Sequence, residues 1–409
     1  FLNNIDFIDN LKFRLTYGVT PNIGAIPLSL NFDPNGIAFV PFYLGAQLPT
    51  YSATTYSGSS IPAIFPGTAG YEDLRIEKVG QFNTGIDFSL FRNKIKVSFD
   101  YYNKLSTDLY IQQQLSATSG FSTQSINAGS MTNKGFEWSI NLEVVKTKDF
   151  AFNINWNHAI NINKIGSLNN PDPEYQYVSG TYLIKEGLPF GSHYTFDYRG
   201  ADPATGLPTY RAASAYLLDE KTQRKNYNKA GDTLVTDIAK AGQFATFGSF
   251  VPVHTGGVEF IIKYKGFSVN ALFSYQYDVV RSNNIRNWIT RNTVGYVTAV
   301  RPSKEIINNQ WEKPGDVKWF PKFNADKGFT SADLEDASFL RFRNLDISYT
   351  FTANTKQQKY FKSIRLYLQA QNLVFWSKFS GLDPEDNNNI SLNEYPNPKF
   401  YNIGLDINF

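Results

Sequence analysis

The side chains best placed for chemistry in this chain are aromatic. Trp288, Tyr296, Trp311, Trp319 and Trp376 lie in or beside long polar segments, with Lys318 and Phe320 close by. Flat rings backed by Asn, Asp and Arg suit sugar faces, or peptide side chains and backbone. These five are the candidate ligand-binding residues, and packing between loops or against a partner is the competing role. The run Asp383-Pro384-Glu385-Asp386-Asn387-Asn388-Asn389 gathers hard oxygens. Calcium at Asp383, Glu385 and Asp386 is conceivable on that ground. The run lacks the spaced ligands and the glycine of an EF-hand loop, so a solvated turn is the preferred reading. Asp202-Pro203-Ala204-Thr205-Gly206 is likewise a turn set by Pro and Gly. With no Cys in the chain, thiolate metal sites, disulfides and a cysteine nucleophile are excluded. No nucleophile elbow, HExxH, phosphate loop or GxGxxG in context occurs, so neither catalysis nor a cofactor is expected. A net charge of only +3 gives no reason to expect a nucleic-acid partner.

The elements that must position these residues are strands. From Gln81 to Leu90 the chain alternates, with Phe82, Thr84, Ile86, Phe88 and Leu90 facing one way and Gln81, Asn83, Gly85, Asp87 and Ser89 the other. The same period of two returns around residues 11–18, 94–103, 134–145, 149–163, 256–264, 267–278, 339–352, 363–374 and 398–409. Tight turns at Arg92-Asn93, Lys146-Thr147-Lys148 and Lys265-Gly266 alternate with long connections at 19–80, 104–133, 164–255, 279–338 and 375–397.

Strands this long, joined by short turns at one end and long loops at the other, predict an all-β fold, an antiparallel transmembrane β-barrel. The mean hydropathy of −0.33 is compatible, because a polar inner face cancels an apolar outer one. A soluble β-sandwich is disfavoured by strand length, by apolar faces almost free of charge and by aromatics at strand ends. Those aromatics are Tyr17, Phe91, Tyr101, Tyr102, Tyr264, Phe267 and Phe351. With the C-terminus periplasmic, each tight turn falls on the periplasmic side, and 164–255 must hold an even number of further strands. Tyr177–Ile184 and Phe190–Arg199 supply two, giving about twelve strands.

On this frame His158, on an apolar face between Trp156 and Ile160, reads as a neutral rim histidine; no second His or carboxylate stands at ligand spacing. Arg341 and Arg343 interrupt an apolar parity that becomes clean from Leu345. Two readings stand for them: guanidinium contact with lipopolysaccharide phosphate at the outer rim, or salt bridges to neighbouring loops. The final alternation of Tyr401, Ile403, Leu405, Ile407 and Phe409 resembles the signal read by the outer-membrane barrel assembly machinery. Phe1 to Asn10 has no basic n-region or apolar h-region, so the chain is expected to be part of a longer product.

Several stretches resemble the C-terminal half of SusC/RagA-like TonB-dependent outer-membrane transporters of Bacteroidetes. They are Leu11–Gly18, Asp73–Glu77, Gln81–Phe88, Asp100–Lys104, Thr107–Leu109, Asn127–Glu137, Asp202–Gly206, Ala337–Leu345, Gln371–Leu373, Ser380–Glu385 and Tyr395-Pro396. Their order and spacing span nearly the whole chain. The resemblance implies that residues 1–409 form the C-terminal part of one barrel domain of about 22 strands. It also implies a plug domain, a TonB box and first strands absent from these residues, and a SusD-like lipoprotein lid. The expected function is TonB-dependent import of a large nutrient, oligosaccharide or peptide, through the outer membrane. The expected partners are the rest of the barrel and its plug, the lid lipoprotein, TonB, lipid and lipopolysaccharide. A passive porin, an enzymatic outer-membrane barrel and a structural subunit of an envelope assembly are the rival classes.

Overall fold

The computed structural model describes residues 7–22, 32–33, 36–37, 51–55, 61–66, 69–121, 123–168, 177–179, 181–213, 233–298, 301–354, 360–385, 390–391 and 395–409. One antiparallel sheet dominates it. Its ten strands pair in chain order: β1 (Ile8–Asn22), β2 (Glu77–Leu90), β3 (Ile95–Thr107), β4 (Ser130–Lys146), β5 (Phe150–Ile165), β6 (His254–Tyr264), β7 (Phe267–Tyr277), β8 (Phe339–Thr352), β9 (Ser363–Ser377) and β10 (Phe400–Asn408). Meander order with long strands is the topology of an outer-membrane barrel wall. The short connections are 91–94, 147–149, 265–266 and 353–362, and all lie at one end; the long ones lie at the other. At the first, Phe91, Arg92 and Asn93 all adopt positive φ, as does Lys265 at the third. That is the backbone twist a tight hairpin demands.

Register converts alternation into two faces. One row across the sheet runs Phe13, Ile86, Phe99, Trp138, His158, Gly256, Tyr275, Leu340 and Trp376. The next row on that face, nearer the tight turns, is Leu11, Phe88, Val97, Ile140, Trp156, Val258, Phe273, Phe342 and Val374. The opposite face carries Arg14, Gly85, Asp100, Glu137, Ala159, Thr255 and Gln276 in a single row. A sheet apolar on one side and polar on the other is what a barrel sets between lipid and lumen.

Aromatic pairs mark the tight-turn end of the apolar face, where Phe267 packs on Tyr349 at 4.6 Å. Tyr102 departs from the expected girdle: it faces the polar side, and its hydroxyl donates to Asn161 Oδ1 at 3.0 Å. In β10, Ile403, Leu405 and Ile407 pair with Leu368, Leu366 and Ile364, which keeps the terminal alternation on the apolar face to the end. Phe409 follows the last paired residue, and its carbonyl accepts from Lys362 Nζ at 2.8 Å. β1 and β10 are edges of the sheet, and Phe13 (71 %), Leu15 (72 %) and Ile403 (79 %) stand exposed there.

The strand count differs from the expectation. Among the described residues the sheet has ten strands where about twelve were expected, because 177–199 adds none. Tyr177–Ser179, Tyr182–Ile184 and Ser192–His193 pair with one another in a separate small sheet. These pieces are far shorter than the roughly nine to eleven residues of a crossing strand. Gly187 and Gly191, both at positive φ, flank Pro189 and break the run. The parity requirement still holds, since zero is even.

For Arg341 and Arg343 the structure decides between the two readings. A register shift between Phe342 and Asn344, on both sides of β8, reverses which side chains face the apolar side. Phe342 therefore stacks on Phe273 at 4.5 Å on the apolar face. Both arginines turn to the polar face, so salt bridging is realised and contact with lipid phosphate is not.

Candidate functional site

The polar face holds its charges in cross-strand groups. Arg14 Nε donates to Asp87 Oδ2 at 2.8 Å, and Arg14 Nη2 donates to Asp100 Oδ2 at 2.8 Å. Ser98 Oγ adds a bond to Asp87 Oδ1 at 2.7 Å. Gly85 makes this possible, because a Cβ there would lie 2.3 Å from Asp100 Oδ1 and 2.8 Å from Arg14 Nη2. Farther round, Glu259 accepts from Asn155 and Asn270, each at 2.7 Å. Asp346 accepts from Arg365 at 3.2 Å and Gln369 at 2.9 Å. The lumen carboxylates Asp87 and Asp100 are thus charge partners of one arginine, which fits a polar wall and requires no catalytic role.

The long-loop end carries a packed cap. After β7 the chain forms three short helices, α1 (Asn284–Ile289), α2 (Val294–Val297) and α3 (Lys304–Asn309). Asn283 and Ser303 cap α1 and α3 through their side chains. Beneath them Lys327 and Asp333 form a buried ion pair at 2.7 Å. Asp333 also accepts from Asn287 Nδ2 at 2.9 Å and from the Thr330 amide at 3.0 Å. Burial pushes the Lys327 ammonium below its usual range, and Asp333 opposes that push. Tyr210, pushed up to about 12 by burial and by the nearby Asp326 charge, donates to the Lys327 carbonyl at 3.0 Å. Tyr198 donates to the Trp319 carbonyl and meets the Trp319 ring edge-on at 5.1 Å.

Of the five aromatic candidates, Trp319 alone lines a described cavity. It stands 42 % exposed. The cleft is about 600 Å³ and is lined with Arg286, Glu305, Glu335, Asp336 and Lys378. Arg286 reaches Glu305 Oε1 at 2.5 Å, and Ser380 binds both oxygens of Glu335. Trp311 donates through Nε1 to the Pro203 carbonyl at 3.0 Å and covers Gly206, so it locks the 202–206 turn to the cap. Tyr296 is clasped by Arg291, 4.5 Å from its ring. Trp288 is half-buried on α1. Trp376 falls elsewhere: it pairs with Leu340 at the long-loop end of the apolar face, where its ring faces away from the cleft. The cleft's charged lining came from distant segments, and no local spacing announced it.

The acidic run at 383–385 serves the arginines. Arg341, nearly fully buried, ion-pairs with Asp383 and lies 3.1 Å from Glu385. Arg343 pairs with Glu385 as well. Asn397 donates to Asp383 through its amide at 3.0 Å and its side chain at 3.1 Å. Asp383 and Glu385 thus have organic cations for partners; Asp386 lies outside the described residues. Among the described residues no group of three or more His, Asp or Glu side chains is spaced to hold a metal. On the apolar face Trp156 Nε1 donates to the Tyr275 hydroxyl at 2.9 Å, and that oxygen lies 2.7 Å from His158 Nδ1. His158 Nε2 lies 3.3 Å from His254 Nδ1. Gly256 leaves room for the Tyr275 ring, which a Cβ would approach within 2.6 Å.

No family model matches the chain. It is 26 % identical over 439 residues to TonB-dependent receptor P3 of Formosa agariphila, covering 100 % of this chain and 40 % of that relative. To TonB-dependent receptor SusC of Bacteroides thetaiotaomicron it is 26 % identical over 424 residues, covering 100 % and 38 %. The solved structure of the RagAB peptide transporter superposes with a TM-score of 0.81 at 25 % identity, covering 100 % of this chain and 42 % of that one. The RagAB peptide importer in its open-open state gives 0.79. The chain therefore spans about two fifths of the length of these relatives, as a C-terminal portion.

Proposed function

We propose that this chain, a SusC/RagA-like TonB-dependent receptor segment of the outer-membrane barrel type, is the lumen wall and outer cap of a nutrient importer. The proposed activity is TonB-dependent uptake of an oligosaccharide or peptide, with a SusD-like lipoprotein as lid. The two open edges support the view that further strands complete the wall, because lipid cannot satisfy unpaired backbone groups. Coupling to TonB and gating by a plug would belong to segments outside these residues. The tight turns then face the periplasm together with the C-terminus, and Tyr401, Ile403, Leu405, Ile407 and Phe409 serve as the assembly signal.

The observation that carries the reading is the cleft at Trp319, open at the long-loop end above a polar wall. Between the two ligand classes it favours peptide. Arg286 is committed to Glu305 and Glu335, so the charges open to a peptide are the exposed Lys378 and Asp336, 3.9 Å apart, beside the apolar face of the Trp319 ring. A neutral sugar would leave those two charges unused. The test is calorimetric titration of the intact receptor–lid complex with mixed peptides and with neutral oligosaccharides. Trp319→Ala should weaken peptide binding roughly tenfold, consistent with loss of about 1.4 kcal/mol of ring contact. Undiminished peptide affinity would remove the cleft from the site, and tighter sugar binding would reverse the choice of class.

A further inference from the structure

The apolar face does not stay apolar to its long-loop end. On β4 and β5 it finishes in Thr132 and Lys134 on one strand and Ile162 and Lys164 on the other. Thr132 opposes Lys164, and Lys134 opposes Ile162. The two lysines are therefore diagonal neighbours, with α-carbons about 7–8 Å apart. Both are exposed, and no described carboxylate lies within ion-pair reach of either. Lys78, the third lysine at this rim, already lies 3.8 Å from Asp108.

Height fixes what these amines face. A strand tilted about 40° climbs about 2.5 Å per residue along the membrane normal. From Phe150, at the tight-turn end, to Ile160 is ten residues, or about 25 Å, which is the height of a barrel's apolar band. Lys134, opposite Ile162, sits about 5 Å above that band and Lys164 about 10 Å above it. That is the head-group layer. Ile162 stands beside Lys134 at the same height, and below them on this face lie Phe136 and Ile160, the apolar surface nearest the two amines.

We infer that Lys134 and Lys164, with the Thr132 hydroxyl between them, hold the phosphate of an outer-leaflet glycolipid whose acyl chains run down Phe136, Ile160 and Ile162. Two exposed ammonium groups with no described carboxylate as partner, above an apolar surface, match a lipid that is anionic at its head and apolar below. The fit does not extend to a soluble anion, which would leave the apolar surface unused. The β8 bulge strengthens the assignment by turning Arg341 and Arg343 away from this face. The inference rests on the proposed orientation, with the long loops outside.

The experiment uses the full-length receptor purified from outer membranes, with co-purifying glycolipid counted by native mass spectrometry. Lys134→Ala with Lys164→Ala should lower bound phosphorylated glycolipid at least fivefold, and the Lys134→Arg, Lys164→Arg pair should retain it. Heat-modifiable migration on gels checks that the barrel has folded. Delipidated receptor titrated with lipid A, dephosphorylated lipid A and inorganic phosphate should prefer lipid A. Glycolipid retained within twofold by the alanine pair, or equal binding of either control ligand, overturns the inference. Val317, 84 % exposed, reports orientation separately when replaced by Cys and labelled on intact cells. Labelling with no loss of lipid overturns the lysine assignment alone, and absence of labelling overturns the orientation and the inference with it.

Discussion

Replacing Lys327 with Met should loosen the cap while leaving the barrel sheet intact. Lys327 Nζ binds both oxygens of Asp333, at 2.7 and 2.8 Å, and the two residues are 3 % and 0 % exposed. Methionine keeps most of the volume but removes the charge, so the carboxylate is left with Asn287 and the Thr330 amide only. Removing one member of a buried ion pair costs about 3–5 kcal/mol. Because Asn287 and Arg286 share α1, the loss propagates to the cleft. Adding Asp333→Asn removes the orphaned charge and should return the total cost to about 1–2 kcal/mol. The assay is native-state hydrogen exchange of amides around 198–210 and 327–333 in detergent, since the cap opens locally rather than with the whole barrel. Exchange in Lys327→Met should accelerate roughly a hundred- to a few-thousandfold, and most of that should reverse in the double variant. Exchange within threefold of the parent would refute the reasoning, as would a double variant no better than the single one.

Two further outcomes follow from the cap. His193 is buried, its Nε2 donates to the Val280 carbonyl at 2.8 Å and its Nδ1 has no partner among the described residues, which favours the neutral ring. Burial holds its pKa below 6.5, so the unfolded chain gains a proton that the folded one refuses. His193 therefore lowers cap stability as pH falls below its ordinary imidazole range and has no effect above it, and His193→Gln should flatten that acid-side slope in pH-resolved exchange. Arg341→Met should uncouple 381–385 and Asn397 from β8 at a cost of about 3–5 kcal/mol, read as faster proteolysis at 381–385 on intact cells; unchanged cleavage would exclude the clamp.

The strands were legible because period-two alternation is a local property, and the ten-strand sheet follows it from Leu11 to Ile407. Two features are not encoded by alternation. A bulge at Arg343 moves every preceding side chain of β8 to the other face, and this decides between the two readings open for the arginines in favour of salt bridging. Tyr177–Ile184 alternates well enough to look like a crossing strand, yet Tyr177–Ser179 pairs with Tyr182–Ile184 inside the same segment. Cross-strand chemistry was hidden for the same reason. Arg14 meets Asp87 and Asp100 only once register is known, and the cleft unites Arg286, Glu335 and Lys378 from three segments. Ring type and a place in or beside a long connection mark Trp319, and the same two features cannot tell it from Trp376, whose face is set by pairing with Leu340.

Where the polar wall leaves charge uncommitted bears on selectivity. Arg14, Glu259 and Arg365 are each held by neighbours on adjacent strands, so a passing ligand would have to displace existing hydrogen bonds to engage them. Such a wall is polar without being adhesive, which suits passage more than capture. Glu137 is the contrast: exposed, it borders a recess of about 430 Å³ with Ser98, Asp100 and Asn157. On the proposed function, discrimination by the described residues falls to the cap cleft, where the exposed Lys378 and Asp336 stand beside Trp319. The buried Lys327–Asp333 pair fixes the geometry of that cap from below. On the proposed function, a cap that must hold still to recognise its ligand has reason to keep such a pair, because replacing both partners by apolar groups is often neutral for stability whereas losing one leaves a buried charge unpaired.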